Sequence, residues 1–129
     1  MAVLQILVDD DDNYTAFAGA AVVGSRFVNA AVGAVPTGNG NKPTVQHATA
    51  AGWALGVSVN DQPVVGGDVA IQTDGVVAIL ATGAYTAGQR VSVGANGTAT
   101  AQTSTNPSFG VFTASGADAS YAPVALQGL

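Results

Sequence analysis

Apolar and polar positions along this chain change over in short runs, broken again and again by glycine, proline, asparagine and aspartate, a rhythm that predicts strands. The predicted strands cover residues 3–8, 26–32, 44–48, 53–59, 68–73, 76–81, 89–93, 98–102, 109–113 and 123–127. After residue 18 the longest stretch free of Gly and Pro is nine residues, 98–106, which is shorter than an ordinary helix of about 11–12 residues. Its 25 alanines therefore do not imply helices, since each interior glycine costs a helix about 1 kcal/mol. Asp74-Gly75, between Val69-Ala70-Ile71 and Val76-Val77-Ala78-Ile79-Leu80, is the strongest hairpin signal, with Asn96-Gly97 next. A type I′ turn needs positive φ at both central residues, and Asn/Asp-Gly supplies it.

The pattern also occurs twice. Gly24-Ser25-Arg26-Phe27-Val28, the turn Asn39-Gly40, Gly56-Val57-Ser58-Val59 and Val69-Ala70-Ile71-Gln72 form one series. Gly88-Gln89-Arg90-Val91, Asn96-Gly97, Gly110-Val111-Phe112 and Val124-Ala125-Leu126-Gln127 form the second. The fold class that follows is all-β: a small barrel or sandwich, β-tulip-like, built from two degenerate repeats with an extended N-terminal arm. The domain limits read as an arm over residues 1–18 and a barrel-like domain over 19–129. The arm pairs an apolar strand-like hexamer, residues 3–8, with the run Asp9-Asp10-Asp11-Asp12, neither of which has a counterpart in the repeat. It can add a strand to a partner's sheet, or residues 3–8 can be the first strand of the barrel.

Composition narrows the function. At 129 residues there is room for a single domain, and a core rich in Val and Ala buries little per side chain, which favours association. With three basic residues against eight acidic ones, nucleic-acid binding and adsorption to anionic membranes are excluded as expectations. Cysteine is absent, so thiolate chemistry and disulfides fall away. The N-terminus lacks the basic region of a signal peptide, and no apolar run spans a bilayer. The chain therefore reads as soluble and made in a cytoplasm.

Candidate chemistry is sparse, and no cofactor and no catalytic residue is expected. An EF-hand loop starting at Asp9 fails at Tyr14, where the turn glycine belongs, and at Ala20, where the bidentate acid belongs; a solvated linker, or a weak cation site, remains. His47 is the single histidine, and Lys42 sits in a predicted hairpin tip. Asp61, Asp68, Asp74 and Asp118 each fall in or beside a predicted turn, and so read as turn residues rather than a hydrolase pair. Trp53 reads as a core anchor, with a binding hot spot as the alternative. Arg26 and Arg90 hold equivalent places in the landmark series; paired with Asp61 or Asp68, they can tie strands or subunits together.

Gly-x-Arg-Phe-Val at residues 24–28, Leu55-Gly56-Val57-Ser58-Val59-Asn60-Asp61, Val64-Val65-Gly66-Gly67-Asp68-Val69-Ala70-Ile71 and Ala87-Gly88-Gln89-Arg90-Val91-Ser92-Val93 through Phe109-Gly110-Val111 resemble the capsid decoration, or head cement, proteins of tailed phages. The resemblance covers residues 19–129. It implies a structural virion protein that binds the major capsid protein on the outer surface of the mature head as a homotrimer and stabilises it. It further implies that an N-terminal arm reaches the shell, which places Val3, Leu4, Ile6 and Leu7 in contact with it. The rival is a tail- or fibre-associated module that binds a receptor or glycan.

Overall fold

In a computed structural model, residues 13–31, 43–103 and 105–127 are described. They form ten strands, β1 (Asn13–Ala18), β2 (Phe27–Ala30), β3 (Thr44–His47), β4 (Gly56–Ser58), β5 (Asp68–Gln72), β6 (Val76–Leu80), β7 (Arg90–Val93), β8 (Ala99–Ala101), β9 (Gly110–Phe112) and β10 (Tyr121–Leu126). The fold is all-β, with one 3-10 turn at Ala95–Gly97 as the single helical element among the described residues. There Asn96 and Gly97 both take positive φ, 56° and 76°, the geometry expected of Asn-Gly at a tight hairpin.

Strands β1–β5 close a barrel in the order β1-β3-β2-β4-β5, and β6–β10 form a second five-stranded sheet in the order β6-β10-β9-β7-β8. The second sheet has the topology of the first. β1 pairs antiparallel with β5 and parallel with β3; β6 pairs antiparallel with β10, and a parallel bridge from Ala81 to Ala99 links its end to β8. The first unit is a closed five-stranded barrel, and the second is a barrel-like five-stranded sheet of the same strand order whose end strands meet only at that single bridge.

The duplication extends to individual hydrogen bonds. Val22 and Gln62 exchange both backbone bonds at 2.8 and 2.7 Å, and Tyr85 and Gly116 do the same at 3.0 Å. Gly19 donates to Val45 as Thr82 donates to Ala99, and Ser25 to Ser58 as Gly88 to Phe112. Even the left-handed residues match, Ser25 with Gly88 and Gly66 with Ala119.

This register corrects three sequence readings. First, β2 pairs Phe27 with Val57 and β7 pairs Arg90 with Val111, so Phe27, and not Arg26, is the counterpart of Arg90. Successive strand residues face opposite sides, and a shift of one separates the two arginines completely. Second, Asp74-Gly75 does not turn a hairpin. Only Gly75 takes positive φ, the Asp74 carboxylate accepts its N–H at 2.7 Å, and the link carries the chain from one barrel to the next. Third, residues 13–18, assigned to the arm, are β1 and complete the first barrel. Asn13–Ala18 lies along β5 over its whole length, so the place of the first barrel strand is taken, and residues 3–8 lie outside the described residues.

Two apolar clusters result. Ala16, Ala18, Val22, Val28, Val45, Val69 and Ile71 fill the first barrel. The second, larger cluster combines the inside of the second barrel with Phe27, Ala48 and Val57 from the outside of the first. Phe27 is fully buried and meets Phe109 with ring centroids 6.0 Å apart. Polar contacts reinforce the seam: Ala51 N–H donates to the Val93 carbonyl at 2.9 Å, Leu80 N–H to Ser25 at 3.1 Å, and the Arg26 guanidinium to Asn96 at 3.2 Å.

Candidate interaction surface

Three of the acidic turn residues, Asp61, Asp74 and Asp118, are occupied in holding backbone. Asp61 accepts the Gly24 N–H at 2.7 Å and Asp118 that of Gly83 at 2.7 Å; such side-chain acceptors stabilise tight turns. The first bond is repeated in the second barrel by the Ser115 hydroxyl and the Ala87 N–H, at 2.9 Å. Asp68 opens β5 opposite Phe17, and Arg90 is exposed on β7. Of the four residues expected to form ion pairs, Asp61 is thus engaged at Gly24 and Arg26 at the barrel seam. Among the described residues no group of three or more His, Cys, Asp or Glu could hold a metal ion. Asp9 to Asp12, Lys42, and the expected shell contacts Val3, Leu4, Ile6 and Leu7 lie outside the described residues.

His47 has a structural position on β3. Its Nε2 accepts the Val23 N–H at 2.9 Å, which requires the neutral ring. Burial holds its pKa below the ordinary value, and the Arg26 guanidinium pushes in the same direction. A folded-state pKa below the unfolded value of about 6.5 means that this stabilisation is complete above that pH and is lost as pH falls through it. Between pH 7 and 5, His47→Gln is therefore expected to lose on the order of 1–4 °C less of its melting temperature than the parent. Equal slopes in thermal melts would refute this role.

Trp53 corrects another expectation. It is 69% exposed, its ring edge-on to Phe109 at 5.9 Å, while Phe109 is the residue that enters the core. The tryptophan covers that core from outside.

A more extensive surface lies on the outside of the second barrel. On β6 and β10 alternate residues point inward, Val77, Ile79, Ala122, Val124 and Leu126. Their neighbours point outward in register: Val76 opposite Ala125, Ala78 opposite Pro123, and Leu80 opposite Tyr121, with Val111 of β9 beyond Ala125. No charged side chain falls within these three rows on β6 and β10, and the first of them ends beyond Val111 at the exposed Arg90 of β7. Val76 and Tyr121 are 65% and 62% exposed. The first barrel provides an internal comparison. Its corresponding rows, Thr15 opposite Ala70 and Phe17 opposite Asp68, with Gln72 in the place of Ala125, carry polar and charged side chains among the apolar ones. The same backbone thus presents a mixed face in one copy and an apolar face in the other, and contiguous exposed apolar surface of this kind marks interaction sites. The sequence contained the signal, in that Val76-Val77-Ala78-Ile79-Leu80 lacks the polar alternation of a half-exposed strand, but a strand buried on both sides reads the same way.

No protein-family model matches the chain, and no curated protein does. Among solved structures, the chain is similar to the head fiber gp8.5 N base of bacteriophage phi29, with a TM-score of 0.72 at 17% identity over 89% of this chain and 92% of that one. At that identity the likeness is one of fold, and it extends over both barrels.

Proposed function

We propose that this protein is a structural component of a bacteriophage virion, located on the outside of the head. The observation that carries the reading is the shared architecture, over nearly the full length of both chains, with a phage head fiber base. The exposed apolar rows of β6, β10 and β9 supply the means of attachment, while Asp61, Asp74 and Asp118 are each engaged in holding a backbone N–H. In this reading the protein binds the major capsid protein of the mature shell as a homotrimer and stabilises that state by mass action, because a ligand of one lattice state alone shifts the balance toward it. The fiber-base likeness also favours a second reading of the same class, in which the barrels anchor a fibre to the head.

Cosedimentation with mature heads tests the proposal. The wild-type chain is expected to pellet with heads, and Val76→Asp combined with Tyr121→Asp to weaken binding by at least about tenfold, the effect of removing an apolar centre from an interface. Both side chains are exposed, so the variant should keep its melting temperature within a few degrees. A chain that ignores heads but is retained on host cells would instead be a receptor- or glycan-binding module.

A further inference from the structure

The longest apolar row on the outside of the second barrel ends in a charge. Val76 lies opposite Ala125, Ala125 opposite Val111, and Val111 opposite Arg90. Cross-strand neighbours on one face stand about 4.5–5.5 Å apart at Cβ, so whatever covers Val111 also reaches Arg90. The row closes with Gln102, whose backbone N–H donates to the Arg90 carbonyl and whose side-chain amide donates to the Asn106 carbonyl. The guanidinium of Arg90 has no such tie. It is exposed, and among the described residues it makes no hydrogen bond or ion pair. Arg26, by contrast, is engaged with Asn96 at the barrel seam.

The first barrel shows the same face already covered. Phe27 pairs with Val57 as Arg90 pairs with Val111, and Ala48 N–H donates to the Phe27 carbonyl as Gln102 N–H does to that of Arg90. Phe27, Val57 and Ala48 are all buried in the seam beneath the second barrel. This face of the fold is therefore a docking face in one copy. In the other, Phe and Ala are replaced by Arg and Gln, so a purely apolar neighbour would strip water from a cation and leave it unpaired, which is costly.

We infer that the partner docking on the apolar rows of β6, β10 and β9 carries a carboxylate that pairs with Arg90. The inference rests on the head reading and so assigns that carboxylate to the outer surface of the shell. Charge complementarity carries it. The chain has a formal net charge of −5 and three basic residues, and Arg90 is the one that the described surface presents beside exposed apolar side chains. The planar guanidinium holds a carboxylate by two parallel hydrogen bonds, which fixes an orientation that apolar rows alone leave free.

Cosedimentation of charge variants with mature heads tests the inference. Arg90→Glu is expected to weaken binding by at least about tenfold, because it sets two like charges against each other, and Arg90→Gln to weaken it less and to flatten its salt dependence. Arg90→Lys keeps the charge and is expected to bind better than Arg90→Gln. It also supplies an amine, which a carbodiimide should join to a shell carboxylate, mapped to position 90 by peptide mass. The side chain is exposed and unpartnered, so all three variants should melt with the wild type. If Arg90→Gln and Arg90→Glu pellet with heads as the wild type does, while Val76→Asp with Tyr121→Asp does not, the carboxylate is overturned and the head reading stands. If the wild type itself ignores heads, both fall. A crosslink at position 90 that joins two copies of this chain overturns the assignment to the shell.

Discussion

Phe27→Ala is expected to lower the unfolding free energy by about 3–5 kcal/mol. The residue lies on the outside of the first barrel, where its counterpart in the second, Arg90, faces solvent. It is fully buried because the second barrel covers it, and its ring touches Phe109 at a 53° tilt. Truncation leaves a cavity in the larger of the two cores without touching the ladder of β2. Phe27→Leu, which keeps most of the volume, should cost less than about 1.5 kcal/mol. Denaturant unfolding followed by circular dichroism measures both, and a loss below about 1 kcal/mol for the alanine variant would mean that the barrels do not depend on this contact.

The second large effect concerns backbone approach. Gly56 and Gly110 occupy the same place in their respective barrels. A Cβ on Gly110 would lie 2.5 Å from the Ala125 carbonyl oxygen and 2.7 Å from a Val124 methyl; one on Gly56 would lie 2.8 Å from the Gln72 carbonyl and overlap a methyl of Ile71. Backbone cannot yield as a flexible side chain can, so Gly56→Ala and Gly110→Ala are each expected to cost about 1–3 kcal/mol, the usual range for overpacking. Gly83 is the control. It takes φ +83° with nothing within 4 Å of an added Cβ, so alanine there meets only the conformational penalty of about 1 kcal/mol. If Gly110→Ala melts with the wild type, the close approach of β9 to β10 is not a constraint.

Most of the architecture was legible. Strands from β2 onward fall where the alternating pattern and the glycine punctuation put them, because side-chain period and turn chemistry are local properties. β1 was missed because its inward residues after Tyr14 are Ala16 and Ala18, too small to give a clear alternation, and because four aspartates precede it. The link at Asp74-Gly75 shows a different limit: the dipeptide permits a type I′ turn, but partner choice is decided by tertiary packing, and β6 gains more against β10. Arg26 and Arg90 were aligned on matching letters, while the ladder aligns Phe27 with Arg90. A slip of one position is invisible in a motif and decisive in a sheet. As for the interaction surface, its apolar residues were visible, but not the face they shared, since that depends on the pairing of β6 with β10.

The two barrels also differ in how much chain they use for the same step. From β2 to β3 the chain passes from Ala30 to Thr44, whereas the equivalent passage in the second barrel, from β7 to β8, runs from Val93 to Ala99. Both arrive in the same register, so the ladder does not depend on the length of that connection. The separation in sequence between these two strands is consequently a quantity that the fold leaves free to differ from one copy to the other.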